Sequence, residues 1–523
     1  MMMADPRISG AVHQALRGHA AFRFLALLLG FGFQVFVVKI LSPENYATYA
    51  VLLATLMVGE RLLSFGTDRT VLRFVPALIS RGDPAGLRFL LTRLGLLRAT
   101  ALLLFVAGLT LSPALQGITP GELSRTTTIA FGAWFVAYTL LKEADAIAQS
   151  LIMHHWAAAV AACESLMRLG SLTLLYSLSR VNQVEVVIVI YAVTSSVAAG
   201  VLLPSLWLAV RRRIRVPRAL VLQNEVVSDL RHQLPRFAIA AYASTLSYLT
   251  SSPGVVRLVA RTGLDIHALA AFSFVQGLSA SLSSALPGQL ILPSLESIAA
   301  KMTDSGRGEE IFPALSVVFK IELTCVLAII IATAVAGAEL ITILSRPEYA
   351  PYYYALPVLM VGLCLQTTYR VLEILGSMNL KYRVFLILWP LSVAGLLALY
   401  ITVGSLGLIS VLVVPILELT SRVAISAVAL RHYGIGRALD PGRSLRLILS
   451  ALIVLLCAFL LLAAWGESLG GARLLVAATG VLIFLLTLVI VRPLSPLESQ
   501  VLTKVLPPSW TFPRYITRRF LSS

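Results

Sequence analysis

Ionisable side chains recur inside stretches of this sequence that are otherwise apolar and long enough to cross a membrane. A charge at the centre of a bilayer costs at least about 2.5–3.5 kcal/mol on insertion scales, so these side chains are expected to face a bundle interior or a wet cavity. Cations in such a cavity suit an anionic ligand, and carboxylates suit a cationic one. The number of ionisable side chains inside these stretches indicates a hydrated path. The set comprises Arg23, Glu60, Arg61, Arg98, Lys142, Glu143, Asp145, Glu164, Arg168, Lys320, Glu322, Arg370, Glu373, Glu418 and Arg422.

Three pairs in this set have the spacing that places both members on one helix face, which favours mutual neutralisation over ligand binding. Glu60 and Arg61 are adjacent in sequence and do not share a face well. At least one of them must find a partner on another helix, which makes Arg61 the better candidate for ligand contact. The three pairs are Glu164 with Arg168, Glu418 with Arg422, and Arg370 with Glu373.

The composition predicts that these charges are carried by membrane-spanning helices. Hydrophobic residues make up 58% of the chain and charged residues 13%, with a mean hydropathy of +0.88, whereas soluble domains are roughly 45–50% apolar. A spanning helix needs roughly 20 apolar residues, so 523 residues hold about fourteen spans and no sizeable soluble domain. We place the spans near 20–40, 46–66, 94–112, 127–149, 156–178, 184–210, 237–256, 268–291, 312–335, 352–375, 383–403, 405–430, 445–465 and 472–491.

The basic residues are sorted among the gaps between these spans. One alternating set of gaps holds 27 arginines and lysines, and the opposite set holds 7. The positive-inside rule therefore predicts that both termini are cytoplasmic. The net charge of +17 does not indicate nucleic acid, because a nucleic-acid surface needs a contiguous basic face and these residues are scattered over short loops.

No metal, cofactor or nucleotide motif stands out in the sequence. The four cysteines, at positions 163, 325, 364 and 457, fall inside predicted spans, where a free thiol behaves as a small apolar residue. The phosphate-loop pattern G-x-x-x-x-G-K-[ST] is missing. The expected energy source is therefore an ion gradient, the membrane potential or consumption of product.

Three matches at a nearly constant offset indicate an internal duplication. Residues 37–53 align with 256–272, Arg98 with Lys320, and the pair Lys142 and Asp145 with Arg370 and Glu373. Each half then has an even number of spans, so the repeat is parallel, and such halves enclose a central cavity. The expected all-α architecture is an N-lobe of six helices at 1–210, a basic cytoplasmic linker at 211–236, a C-lobe of six helices at 237–430, a helix pair at 431–491 and a cytoplasmic tail at 492–523.

The segments KILSPENYATYAVLL and FGTDRTVLRFVPALISRGD resemble the start of polysaccharide flippases of the multidrug, oligosaccharidyl-lipid and polysaccharide exporter superfamily. Ser42 and Ala47 stand where that family usually has two glycines. The segment AIAQSLIMHHWAAAVAACESLMRLGSLTLLY looks like the fourth-to-fifth helix region of the same proteins. The resemblance implies flipping of an undecaprenyl-pyrophosphate-linked oligosaccharide across a bacterial inner membrane by alternating access.

This resemblance also implies a cationic cavity, because a pyrophosphate-linked sugar is a large polar anion. Arginine suits phosphate since its planar fork donates two parallel hydrogen bonds. We assign Arg23, Arg61, Lys142, Arg257 and Arg370 to the lining, with snorkelling to the headgroups as the alternative for Arg23. The implied partners are the lipid-linked oligosaccharide, membrane lipids, and a polysaccharide polymerase with its export machinery.

Two other functions compete with this hypothesis. A cation-coupled multidrug exporter of the same superfamily calls for an acidic cavity, whereas arginine and lysine at least match the acids here, and that branch usually has twelve spans. A membrane polysaccharide polymerase or ligase acts on the same lipid-linked substrates but typically carries catalytic side chains on a large external loop. The external gaps of this sequence are short, so a transporter is favoured over an enzyme.

Overall fold

The fold is almost entirely helical over the part of the chain that the computed structural model describes. That part comprises residues 6–80, 83–111, 123–151, 153–179, 183–214, 234–235, 237–239, 241–243, 245–246, 251–288, 292, 295, 308–378, 388–465 and 472–505. The predicted linker at 211–236 and the predicted tail at 492–523 lie mostly outside it. The chain divides into two compact units, Met1–Ala270 and Ala271–Ser523.

The first unit contains eight of the helices that the structure describes, together with the start of a ninth. Helix α2 begins where the sequence SPEN supplies its cap: the Ser42 hydroxyl accepts a hydrogen bond from the Asn45 amide at 3.3 Å, and Pro43 occupies the first turn. The helices are α1 (Pro6–Ile40), α2 (Pro43–Leu63), α3 (Thr67–Ser80), α4 (Pro84–Leu111), α5 (Arg125–Ser150), α6 (His154–Ser179), α7 (Val184–Ile214), α8 (Pro253–Gly263) and α9 (Ile266–Ala285).

The apolar core of the first unit joins α3, α4, α5 and α7. It includes the buried side chains of Val71, Leu90, Ala144 and Leu202, one from each of those helices. Helix α1 packs against α6, and α8 packs against α2. This packing fixes the positions from which α2, α3, α4 and α5 present polar side chains to one another.

The second unit is built around one long helix, α10 (Phe312–Leu344), which packs against most of the others described there. Its core includes Leu315, Val318, Leu372 and Phe484. A short 3-10 helix, Gly308–Ile311, precedes α10 and another, Pro347–Tyr352, follows it. The remaining helices are α11 (Ala355–Met378), α12 (Trp389–Leu406), α13 (Leu408–Ala429), α14 (Ile435–Leu439), α15 (Pro441–Trp465), α16 (Ala472–Val491) and α17 (Pro496–Val505).

Twelve helices of the described part are long and apolar enough to cross a membrane. They coincide with twelve of the fourteen spans expected from sequence. The fourth expected span is present as α5, whose charged residues make it more polar, and the seventh lies partly outside the described residues. Many helices expose large apolar side chains, such as Leu103 and Leu104 on α4, which suits lipid rather than water as their solvent.

Candidate functional site

A left-handed turn between α2 and α3 sets up the polar centre of the first unit. Phe65 and Gly66 have φ angles of 46° and 71°. A Cβ atom on Gly66 would lie 2.7 Å from the carbonyl oxygen of Ala238, so both the backbone angle and the close approach require glycine. Thr67 and Asp68 follow at the start of α3, which packs against α5. The turn thereby directs these two residues toward α5.

Arg98 of α4 lies at the centre of a buried charge cluster. Its side chain is 2% exposed, and its Nη2 donates a hydrogen bond to Glu60 Oε1 of α2 at 2.9 Å. Its Nε lies 3.9 Å from Glu143 Oε2 of α5, which also accepts a hydrogen bond from the Thr67 hydroxyl at 3.1 Å. Within the described residues, Nε and Nη1 of Arg98 make no hydrogen bond. One guanidinium group is thus shared between two carboxylates with donor capacity left over.

Asp68 is the third carboxyl group of this cluster. Its side chain is in hydrogen-bonding contact with that of Glu143, and its Oδ1 is buried without a hydrogen-bond partner in the described part of the chain. Asp68 belongs to α3, which is not among the helices suited to crossing a membrane. Burial, followed by the charges of Glu60 and Glu143, raises the pKa of Asp68 from 3.8 to about 7, against the opposing effect of Arg98 and Lys142.

Two of the cations assigned from sequence, Arg23 and Lys142, come within electrostatic reach of each other. Lys142 of α5 is exposed, and its Nζ lies 5.5 Å from the centre of the Tyr138 ring; Arg23 of α1 is half-buried. The carboxylates of Glu60 and Asp145 also act on the charge of Lys142. However, neither Arg23 nor Lys142 forms a salt bridge with another described residue.

The other three assigned cations occupy separate places. Arg61 is half-buried near the end of α2, next to the charge cluster in sequence. Arg257 is 4% exposed on α8 and lies within electrostatic reach of Tyr46 and Tyr49 in the first half of α2. At 1.5 Å rise per residue, those tyrosines are about 20 Å along α2 from Arg61. Arg370 is half-buried on α11 of the second unit.

Two of the three pairs expected to neutralise each other do so, which confirms those predictions. Arg168 pairs with Glu164, and both also bond the hydroxyl of Ser195. Arg422 donates from Nε to Glu418 Oε1 at 3.0 Å. These four charged residues are explained by local pairing. The pairing of Arg370 with Glu373 stays a prediction.

The second unit contains its own buried cation, Lys320 of α10, which is 1% exposed. Its Nζ donates to Asp440 Oδ2 at 2.6 Å and to both carboxylate oxygens of Glu498 at 2.9 Å. Arg443 approaches the same two carboxylates at 3.5 and 3.9 Å. Burial disfavours the ionised form of Glu498, but hydrogen bonds from the Ser495 amide and Lys320 hold its pKa below the ordinary value. Helix α17 is thereby tied to α10.

Arg98 is among the intramembrane charges found in the sequence but is not one of the five residues assigned to the cationic lining, and Asp68 falls between the spans predicted at 46–66 and 94–112. The sequence signal for Asp68 is the segment FGTDRTVLRFVPALIS, in which Gly66 is followed by an amphipathic helix. That helix, α3, packs back onto α4 and α5. The signal for Arg98 was its isolation, because no carboxylate lies three or four residues away on α4.

No protein-family model and no curated protein matches the sequence. Several solved structures match its fold. The structure described as "Lipid II flippase MurJ, inward closed conformation" has a TM-score of 0.61 and 13% sequence identity, and the match covers 89% of this chain and 97% of that one.

Multidrug transporters share the fold as well. An inward-facing multidrug resistance MATE family transporter of the MOP superfamily has a TM-score of 0.57 and 16% identity, covering 81% of this chain and 99% of its own. A MOP superfamily transporter from Pyrococcus furiosus, described as having a binding pocket of reverse polarity, has a TM-score of 0.57 and 14% identity, covering 82% and 96%. This chain therefore has the fold of the MOP superfamily and is a multi-pass membrane protein.

Proposed function

We propose that this protein moves an oligosaccharide linked to undecaprenyl pyrophosphate from the cytoplasmic to the periplasmic leaflet of a bacterial inner membrane. The substrate is an anion on a long lipid tail. Its headgroup would bind a cationic lining to which we assign Arg23, Arg61, Lys142, Arg257 and Arg370. The lipid tail would remain in the bilayer during alternating access.

The observation that carries this proposal is that Arg23 and Lys142 of the first unit lie within electrostatic reach of each other and form no salt bridge with another described residue, while Asp145 and Glu60 act on Lys142 more strongly than Arg23 does. Two like charges near each other are unfavourable, and more so where protein and lipid lower the dielectric constant. The carboxylate of Glu60 is engaged by Arg98, and Asp145 accepts a hydrogen bond from the Gln149 amide at 3.0 Å. A bound pyrophosphate would neutralise both cations, with Arg23 able to donate two parallel hydrogen bonds.

The extent of the structural matches gives further support. The match to the lipid II flippase covers 89% of this chain, whereas the match to the inward-facing MATE family transporter covers 81% and that to a MATE structure in complex with MaD3S covers 82%. The difference in coverage corresponds in length to about two spanning helices. The fold of the lipid II flippase therefore matches more of this chain than the fold of the MATE transporters does.

A cation-coupled multidrug exporter is the second candidate. It is favoured by the MATE matches and by the three carboxyl groups of Glu60, Asp68 and Glu143, which lie close together. The two functions differ in the charge of the ligand, so a binding measurement separates them. From the charge distribution in the sequence, we propose that both termini are cytoplasmic. From the family resemblance, we propose a polysaccharide polymerase and export machinery as partners.

The test measures binding of undecaprenyl pyrophosphate to the purified full-length protein in detergent by microscale thermophoresis. Arg23→Glu and Lys142→Glu are each expected to raise Kd at least about tenfold, which corresponds to about 1.4 kcal/mol. Arg88→Glu is the matched control, because Arg88 is an exposed arginine on α4 of the same unit. This control should bind like the wild type.

Uncharged undecaprenol and the lipophilic cation tetraphenylphosphonium complete the comparison. Undecaprenol should bind more weakly than the pyrophosphate, since it lacks the headgroup. Wild-type affinity for the pyrophosphate in both reversal variants would refute the anion site. Binding of tetraphenylphosphonium alone would favour the multidrug exporter instead.

A further inference from the structure

We propose that Asp68 and Glu143 form a proton-binding site in the first unit, whose occupancy is controlled by the charge at Lys142. The ligand of this site is one proton held between two carboxyl groups. The site differs from the cationic lining in composition, because it consists of two acids, Asp68 on α3 and Glu143 on α5.

The two carboxyl groups contact each other, which favours a shared proton. Asp68 and Glu143 are within hydrogen-bonding contact, and two ionised carboxylates cannot hydrogen-bond to each other. One proton placed between them converts a repulsion into a hydrogen bond. The Thr67 hydroxyl donates to Glu143 Oε2 and so satisfies another lone pair of the same group.

The charge balance of the cluster also calls for a proton. Three carboxyl groups, Glu60, Asp68 and Glu143, lie around the buried guanidinium of Arg98 with Lys142 beside them. The three carboxyl groups outnumber Arg98, the buried cation that they surround. One proton reduces this excess of negative charge and with it the penalty for uncompensated buried charge.

A proton fits this cluster better than a metal ion does. The described residues contain no group of three or more His, Cys, Asp or Glu side chains arranged to hold a metal. Arg98 lies among the carboxylates, and its positive charge would repel a metal ion bound there. The Arg98 Nη1 atom is buried without a hydrogen-bond partner in the described part of the chain. An ionised pair of Asp68 and Glu143 carboxylates would be expected to accept a hydrogen bond from this donor.

Every helix packed around Asp68 contributes a charged group or a hydrogen-bonding group to its surroundings. The first half of the chain supplies cations and carboxylates from four helices, and the segment next to the Gly66 turn adds one phenol, whose hydroxyl donates to the carbonyl oxygen of Leu62 at 2.8 Å. The groups are Glu60 of α2, Arg69 and Arg73 of α3, Arg98 of α4, Lys142 and Glu143 of α5, and Tyr242.

The sign of the coupling follows from these neighbours. Burial and the charges of Glu60 and Glu143 raise the pKa of Asp68 to about 7, while Lys142 lowers it. Neutralising Lys142 would therefore strengthen proton binding. If the anion of the proposed function binds at Lys142, it neutralises this lysine and strengthens proton binding. By linkage, the bound proton strengthens anion binding by the same factor. That last step rests on the proposed function, whereas the proton site does not.

The test is a pH titration of the full-length protein by difference infrared spectroscopy, following the carbonyl band of protonated carboxyl groups without any lipid substrate. A band with a midpoint near neutral pH is expected in the wild type. Asp68→Asn, which has nearly the shape of the protonated acid, should abolish it, and Glu143→Gln should abolish it independently. Lys142→Gln should raise the midpoint by about one pH unit, and Glu60→Gln should lower it.

Glu348→Gln is the control, because Glu348 lies on an exposed ion pair with Arg346 in the second unit. It should leave the neutral band unchanged. A neutral band that persists in both Asp68→Asn and Glu143→Gln would overturn the proton site. An unshifted midpoint in Lys142→Gln would overturn the control by Lys142. Both results are independent of undecaprenyl pyrophosphate binding, so failure of the proposed function is recognised separately.

Discussion

Arg98 in the first unit and Lys320 in the second occupy matching positions of the duplication inferred from sequence, yet their surroundings differ. Lys320 makes three short hydrogen bonds to Asp440 and Glu498. Arg98 makes one at 2.9 Å to Glu60 and a longer approach to Glu143. The cation of the second unit is fully engaged, whereas the cation of the first faces more acid than it neutralises.

The partners explain this difference. Asp440 and Glu498 belong to segments that follow the duplicated helices, and Glu498 lies on α17. The partners of Arg98 come from α2 and α5 of its own unit. The second cluster therefore fastens the appended helices to α10, while the first keeps a carboxyl pair that can gain or lose a proton. One cluster is structural and the other is suited to a change of charge.

Replacing Lys320 with methionine is expected to have the largest effect on stability. It leaves the buried carboxylate of Glu498 and the half-buried one of Asp440 without their main partner, and breaking a buried ion pair in this way costs about 3–5 kcal/mol. The measurement is thermal unfolding of the purified protein at pH 7.5. Arg346→Met is the control, because its ion pair with Glu348 is exposed and worth about 0–1 kcal/mol. Equal unfolding temperatures for the two variants would show that the Lys320 cluster is not structural.

Arg98→Met is expected to have an intermediate effect that depends on pH. At pH 8 it leaves Glu60 and Glu143 buried without a cation, but at pH 5.5 the carboxyl groups can take up protons and reduce the loss. The same unfolding assay at both pH values measures this. A loss of stability that is equal at the two pH values would remove the distinction between the clusters.

The pH dependence of the unmodified protein gives the smallest effect. The pKa of Asp68 is raised in the folded state, so its contribution to stability is lost as pH rises from about 4 through about 7. The pKa of Glu498 is lowered, so its contribution is present above its ordinary value of 4.5 and is lost as pH falls below that value. Asp68→Asn should therefore flatten the unfolding temperature between pH 5 and 8. An unchanged slope in this variant would show that another group titrates there.

Hydropathy and charge gave the spans because both are local properties of the chain. Arg168 and Arg422 were also predictable, since each pairs with an acid four residues away on its own helix. The contact between Arg98 and Glu60 joins residues 38 apart, and that between Lys320 and Glu498 joins residues 178 apart. Helix packing decides such pairs, and a single sequence contains no direct signal for them.

Transport of the lipid itself tests the central claim most directly. Full-length protein in liposomes would be given undecaprenyl pyrophosphate linked to a fluorescent sugar, and a membrane-impermeant quencher would report its leaflet. We expect the wild type and Arg88→Glu to move the lipid between leaflets, and the double variant Arg23→Glu/Lys142→Glu to move it at the rate of empty liposomes. Transport by the double variant at the wild-type rate would contradict a cationic site for the pyrophosphate, and the absence of transport by the wild type would contradict the proposed function.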